Sequence, residues 1–60
     1  MSWLVQWIVD MPGFLPVTVF AGTAADACSE AADMHHLPDV PPNTTARDQR
    51  GQEFACSSAP

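Results

Sequence analysis

Residues 3–22 read WLVQWIVDMPGFLPVTVFAG, and this apolar run decides how the rest of the chain is interpreted. Asp10 is its only formally charged residue, whereas nearly everything after Gly22 is polar, acidic or interrupted by proline. An apolar segment followed by a polar, solvated segment is typical of a small docking or accessory subunit. The chain therefore predicts a binding protein more readily than a self-contained enzyme.

The beginning of this run has the spacing of an amphipathic helix. Ser2, Gln6 and Asp10 recur at every fourth position, and large apolar side chains occupy a second face at helical spacing. The Pro-Gly pair at residues 12–13 ends the predicted helix, because the residue before a proline is pushed out of the α region. Residues 17–20 (VTVF) then have strand character. We expect an anchor helix, a bend and an extended hydrophobic segment.

The predicted anchor supplies a set of docking residues. Tryptophan rings favour membrane interfaces and the centres of protein interfaces. A lone membrane span is marginal, because Asp10 near its middle costs about 2.5–3.5 kcal/mol on the insertion scale. The helix lacks Lys and Arg, which favours a groove on a membrane protein complex over a bare lipid surface. The expected docking residues are Trp3, Leu4, Trp7, Ile8, Met11, Phe14, Leu15 and Phe20.

Residues 23–37 are predicted to form a second helix, rich in alanine and acidic residues. Thr23, followed three residues later by Asp26, fits the capping-box pattern that opens a helix. The many alanines favour the helix intrinsically, and the Leu-Pro pair at residues 37–38 closes it. A smooth face of small residues would let a partner approach closely, and the predicted members of this face are Ala24, Cys28, Ala31 and Met34.

Residues 38–60 are predicted to be an extended, proline-containing tail that is disordered without a partner. Its prolines favour polyproline-like geometry. The large apolar residues beyond Gly22 are also too few to offset a backbone entropy of roughly 1–2 kcal/mol per residue. We therefore expect this tail to be mobile or folded against another protein.

The chain has two cysteines, Cys28 and Cys56, which form a candidate disulfide. A bridge between them would stabilise the fold by about 3–4 kcal/mol. Residues 43–45 (NTT) match a glycosylation acceptor, which would agree with an oxidising compartment. A cleaved signal peptide is not expected, because the first residues carry no positive charge and Asp10 follows them. The sequence is compatible both with two free thiols and with a disulfide between them.

The net charge of the chain restricts the classes of partner that it can bind. Seven acidic residues, two arginines and no lysine give a net charge of −5, which disfavours nucleic acid as a partner. The acidic stretch is either a solvated face or a patch that meets a basic partner.

The chain contains no Gly-rich phosphate loop, nucleophile elbow or HExxH motif. His35 and His36 lack the spacing of a zinc site. We expect no catalysis, no small-molecule substrate, no cofactor and no metal.

The sequence therefore predicts a mainly α fold with much irregular structure, in three segments at residues 1–22, 23–37 and 38–60. The predicted function is that of an accessory subunit that docks through its apolar N terminus onto a larger membrane protein complex and aids its assembly or stability. The predicted localisation is accordingly at a membrane. One alternative is a secreted or periplasmic miniprotein held together by the disulfide. Another is the product of a newly arisen reading frame with no evolved function.

Overall fold

A computed structural model describes residues 4–56 of the chain. The elements in chain order are strands β1 (Val5–Asp10) and β2 (Val17–Ala21), helix α1 (Ala24–Met34), and strands β3 (Thr45–Arg47) and β4 (Glu53–Ala55). The four strands form one antiparallel sheet in the order β2-β1-β3-β4. Helix α1 packs on one face of this sheet, so the fold has two layers.

The predicted N-terminal amphipathic helix is wrong, because Val5–Asp10 forms the central strand β1. This strand pairs with β2 on one side and with β3 on the other. Its β-branched residues Val5, Ile8 and Val9 suit a pleated surface. An alternation of period two buries Trp7 and Val9 and leaves Ile8 and Asp10 exposed, which a helix over the same residues could not do.

The predicted mainly α fold is wrong for the same reason, since the described residues contain four strands and a single short helix. The membrane-anchoring helix expected at the N terminus is replaced by β1 between residues 5 and 10. Within residues 4–56, no helix has the length and apolar character needed to cross a bilayer. The membrane association inferred from that helix is therefore not supported.

The Pro-Gly pair that was expected to end a helix instead forms the hairpin turn between β1 and β2. Phe14 N–H donates a hydrogen bond of 3.0 Å to the carbonyl of Met11. Pro12 and Gly13 are the two central residues, and Gly13 has a φ of +86°. Proline followed by a residue with positive φ is the signature of a type II turn. The turn brings the predicted strand at residues 17–20 back along β1 as β2.

The core lies between the helix and the facing side of the sheet. The side chains of Trp7 and Val9 from β1 and of Met11 just beyond it are buried there. The Trp7 indole Nε1 donates a hydrogen bond of 3.0 Å to the carbonyl of Ala21, and its ring meets Phe54 edge to face at 5.8 Å. Small helix residues allow the two layers to approach closely, and the remaining buried members of the core are Val19, Ala21, Ala27, Cys28, Ala31 and Ala46.

Helix α1 begins as the sequence predicts. Thr23 is the N-cap residue, and its Oγ1 accepts a hydrogen bond of 3.2 Å from the backbone N–H of Asp26. This bond satisfies one of the amide groups that a helix start leaves without a partner.

The helix ends at Met34, earlier than the predicted Leu-Pro stop at residues 37–38. His36 adopts a φ of +57°, its N–H bonds to the carbonyl of Asp33, and Leu37 N–H bonds to the carbonyl of Ala32 at 2.9 Å. This pair of bonds is a Schellman motif, with His36 at the left-handed position that glycine usually fills. Met34, the last residue of the helix, is exposed, whereas Ala31 is buried in the core.

The predicted extended tail contains two strands up to residue 56. Asn43, with a φ of +66°, and Pro42 turn the chain into β3, and the hydroxyl of buried Thr44 donates a 2.7 Å hydrogen bond to the carbonyl of Pro41. Strand β4 then pairs with β3, and Cys56 N–H bonds to the carbonyl of Thr44 at 2.9 Å. Within the described part of this segment, β3 thus joins the sheet through β1 and β4 joins it through β3, which the local composition could not reveal.

Cys28 and Cys56 form a disulfide in the structure. Their Cα atoms are 6.1 Å apart, which is within the usual range for a bridged pair. The bridge joins the buried side of α1 to the residue that follows the edge strand β4. It thereby ties the helix to the segment of sheet that is most distant from it in sequence.

Candidate functional site

The two faces of the sheet differ in what covers them. One face packs against α1, whereas no described element packs on the opposite face, which we call the open face. The register places on it Gln6, Ile8 and Asp10 together with their cross-strand partners, and Leu4 directly precedes β1 at the same alternate spacing. Those partners are Thr18, Phe20, Thr45, Arg47, Glu53 and Ala55.

Three large apolar side chains cluster on the open face, and we call Leu4, Ile8 and Phe20 the apolar patch. Phe20 lies directly opposite Gln6, so Leu4 and Ile8 are its diagonal neighbours across the strand pair. Diagonal Cα atoms are about 7–8 Å apart, a distance that an aromatic side chain can bridge. The exposed fractions are 57% for Leu4, 40% for Ile8 and 61% for Phe20. This cluster is the candidate interaction surface of the described residues.

Charged residues border the apolar patch on the side of β3 and β4. Arg47 lies opposite Ile8, and its Nη2 is 2.7 Å from Oε2 of Glu53 on the neighbouring strand. Both side chains are half exposed, so this ion pair contributes about 0–1 kcal/mol to stability. Arg47 and Glu53 balance each other, which leaves Asp10 as the charge on the open face without a described ionic partner.

The structure divides the predicted docking residues into three groups. Trp7 and Met11 belong to the core, with Trp7 only 7% exposed, so a partner cannot reach them in this fold. Leu4, Ile8 and Phe20 share the open face. The remaining members are Phe14 and Leu15 in the connection between β1 and β2, and Trp3, which lies outside the described residues.

The connection between β1 and β2 carries further apolar surface. Leu15 is 84% exposed, whereas Phe14 packs against the imidazole of His35 with ring centroids 4.5 Å apart. His35 is the C-cap of α1, and its Nε2 has no hydrogen-bond partner among the described residues. Phe14 therefore fixes the connection to the helix end, and Leu15 is left to solvent or to a partner.

Two shallow cavities lie elsewhere on the molecule. A cavity of about 290 Å³ is lined by Val5, Trp7 and the turn residues 48–50. Its carboxylate, Asp48, already accepts hydrogen bonds from the backbone N–H groups of Arg50 and Gln52 at 2.9 and 3.0 Å, and so serves the turn.

The second cavity, of about 230 Å³, lies between α1 and residues 37–40, with Asp33 and Asp39 in its lining. Its lining also includes the hydroxyl of Ser29, but within the described residues no hydrogen bond joins this hydroxyl to either carboxylate. In the part of the chain that the structure describes, no three His, Cys, Asp or Glu side chains are grouped as metal ligands would be.

The sequence did not single out the charged border of the open face. Arg47 and Glu53 were considered only through net charge, and Asp10 only as a charge within the apolar run, because their positions on one face depend on pairing between distant strands. The pairing of β1 with β3 brings these residues together, and this pairing cannot be read from a single sequence.

Comparisons with protein-family models, characterised proteins and solved structures give no match to this chain.

Proposed function

We propose that this chain is a small non-catalytic binding protein of an oxidising compartment, secreted or periplasmic. It docks on a larger protein through the open face, with the apolar patch at the centre of the contact. The partner presents an apolar surface with basic residues at its edge.

The disulfide supports the oxidising compartment. Disulfides persist in secreted and periplasmic proteins and are rare where cellular thiols are kept reduced. A chain of 60 residues buries a modest share of its surface, so a bridge between Cys28 and Cys56 is a substantial part of its stability.

The single observation that carries the docking surface is the exposure of Phe20 between Leu4 and Ile8. The helix-covered face already contains the core, so the fold does not need these three side chains for its own packing. Aromatic residues at the centre of an apolar patch are the residues that most often dominate binding energy.

Charge supports a basic border on the partner. The chain has a net charge of −5, and Asp10 contributes negative charge at the open face itself. Electrostatic complementarity of this kind raises the association rate and weakens as salt screens it. Binding to the partner should therefore become weaker at higher ionic strength.

Position-specific photo-crosslinking in the native host tests the docking surface. A benzophenone amino acid replaces Phe20 in one variant and Glu30, on the exposed side of α1, in the control. We expect position 20 to crosslink to a larger protein and position 30 to give no such product. Equal yields from both positions, or only the chain's own dimer from position 20, would contradict the proposal.

The affinity of the partner so identified then gives a quantitative test. Phe20→Ser should weaken binding by roughly 30-fold or more, as expected when an aromatic residue is lost from an interface centre. Glu30→Ser, a change of similar size away from the open face, should leave the affinity within about twofold. The compartment is tested separately by mass spectrometry of native material, in which oxidised cysteines support the proposal and free thiols contradict it.

A further inference from the structure

The two edges of the sheet are built differently, and we infer that the β2 edge is a site of self-association. Two copies of the chain pair through β2 in antiparallel orientation and form a continuous eight-stranded sheet. This inference goes beyond the proposed function, because it concerns the backbone of the β2 edge, although Phe20 belongs to both that edge and the open face.

Strand β2 has the features of an edge that can accept another strand. It is the outermost strand next to β1, and within residues 4–56 no backbone hydrogen bond reaches it from an element other than β1. Its five residues, VTVFA, are uncharged and contain no proline. Exposed edges normally carry a lysine, a proline or a bulge that prevents pairing with another chain. The described part of β2 carries no such residue between Val17 and Ala21.

The opposite edge shows what a protected edge looks like in the same molecule. Strand β4 has only three residues and begins with Glu53, whose side chain is paired with Arg47. Cys56 follows it directly and ties the chain to α1 through the disulfide. A short, charged and crosslinked edge is a poor template for a second strand. The asymmetry between the edges therefore selects β2.

The sequence of β2 is compatible with pairing to itself. A two-fold axis at Val19 puts Val17 opposite Ala21 of the second copy, and Thr18 opposite Phe20 of the second copy. Because paired residues share a face, each Phe20 then extends the open face of its own copy towards that of the other. Closed two-fold dimers are the commonest oligomers, and they require a self-complementary contact of this kind.

The distribution of charge makes β2 the strand through which two copies can pair. Each of the other three strands contains a charged residue, namely Asp10, Arg47 or Glu53, whereas β2 contains none. Two chains of net charge −5 repel one another overall, and β2 is the strand at which they can meet without bringing like charges together. Raising the salt concentration screens the residual repulsion. The dimer should therefore become tighter with salt, the opposite of binding to a basic partner.

Sedimentation equilibrium of the full oxidised chain tests the inference, over a concentration series at low and high ionic strength. We expect a monomer–dimer equilibrium whose Kd falls as salt is added. Thr18→Lys should raise that Kd by roughly tenfold or more, since it places a charge beside the two-fold axis. Ala55→Lys introduces the same positive charge at an exposed position of β4, and it should leave the Kd unchanged.

Amide hydrogen exchange of the unmodified chain provides a second measurement that needs no substitution. We expect protection of β2 amides to increase with protein concentration, while protection in β4 does not change. A monomer at every concentration, equal effects of Thr18→Lys and Ala55→Lys, or a dimer that weakens with salt would overturn the inference. An extended segment of another protein bound at β2, with no self-association, would also overturn it.

Discussion

The two faces of one sheet divide the molecule into a part that folds it and a part that is free to bind. On the covered face, Trp7 and Val9 are buried beneath α1. On the open face, Ile8 and Phe20 come from the same two strands and have comparable apolar character, yet they remain accessible. Burial here depends on where the helix lies and not on how hydrophobic a residue is.

This difference matters because so few residues make up the core. Alanines contribute much of the helix side of the core, so the large side chains of β1 supply most of its volume. Small domains have little stability to spare. Equal truncations on the two faces should therefore have unequal effects, which makes the comparison testable.

The largest expected effect is at Trp7. Trp7→Ala should lower the free energy of unfolding by about 3–5 kcal/mol, because it leaves a cavity and removes the hydrogen bond to Ala21. Phe20→Ala, on the open face, should lower it by less than about 1 kcal/mol. Urea denaturation followed by circular dichroism under oxidising conditions measures both. Equal losses at the two positions would show that the open face is part of the core.

The disulfide is expected to have the next largest effect. The double variant Cys28→Ser, Cys56→Ser should lose about 3–4 kcal/mol, because a loop spanning 28 positions is no longer closed in the unfolded chain. The same measurement on reduced unmodified chain serves as the control and should give a similar loss. Stability that survives both treatments would indicate that the covered face holds the fold without the bridge.

A smaller effect is expected from the buried hydroxyl of Thr44. Thr44→Val should cost about 1–2 kcal/mol, since it removes the bond to the carbonyl of Pro41 while preserving the side-chain shape. Thr18→Val is the matched change on the open face, and it should alter stability by no more than about 0.5 kcal/mol. Denaturation midpoints of the pair provide the comparison, and a larger loss at Thr18 would reverse the assignment of the faces.

The smallest expected effect is a gain. His36→Gly should raise the free energy of unfolding by about 0.5–1 kcal/mol, because glycine adopts the left-handed conformation at the helix end without steric cost. Ala32→Gly, inside the helix, is the control and should be destabilising by about 1 kcal/mol or more. A thermal melt that shows His36→Gly to be the less stable variant would rule out the left-handed helix end.

The start of α1, the strand character of β2 and the break at the Pro-Gly pair were the predictable parts of the fold, because their signals are local. Thr23 and Asp26 indicate the helix start from sequence alone, and the N-cap bond confirms it. The strand character of residues 17–20 is likewise a local signal, and β2 confirms it. The Pro-Gly pair at residues 12–13 was identified as a break, although its role as a hairpin turn requires β1 to be a strand.

Strand β1 was mispredicted because its open face is unusually apolar. Leu4 and Ile8 lie on the same side as Gln6 and Asp10, which hides the alternation expected of a strand. The spacing of Gln6 and Asp10 then favoured a helix. Strands β3 and β4 could not be predicted, because three residues give too short a pattern and their order depends on pairing with β1.

The candidate site was predicted in part for the same reason. Leu4, Ile8 and Phe20 were expected to dock and are exposed together. Trp7 and Met11 were expected beside them, but the period of two places them on the covered face. Assigning docking residues on a helical period therefore mixed core and surface positions.

An alanine scan along β1, from Val5 to Asp10, tests directly whether its side chains alternate between the covered face and the open face. The free energy of unfolding of each variant is measured by urea denaturation of the oxidised chain. We expect an alternating pattern, with large losses at Trp7 and Val9 and small ones at Gln6, Ile8 and Asp10. Losses that recur every three to four residues would contradict it, because they would restore a helix and remove the distinction between the two faces.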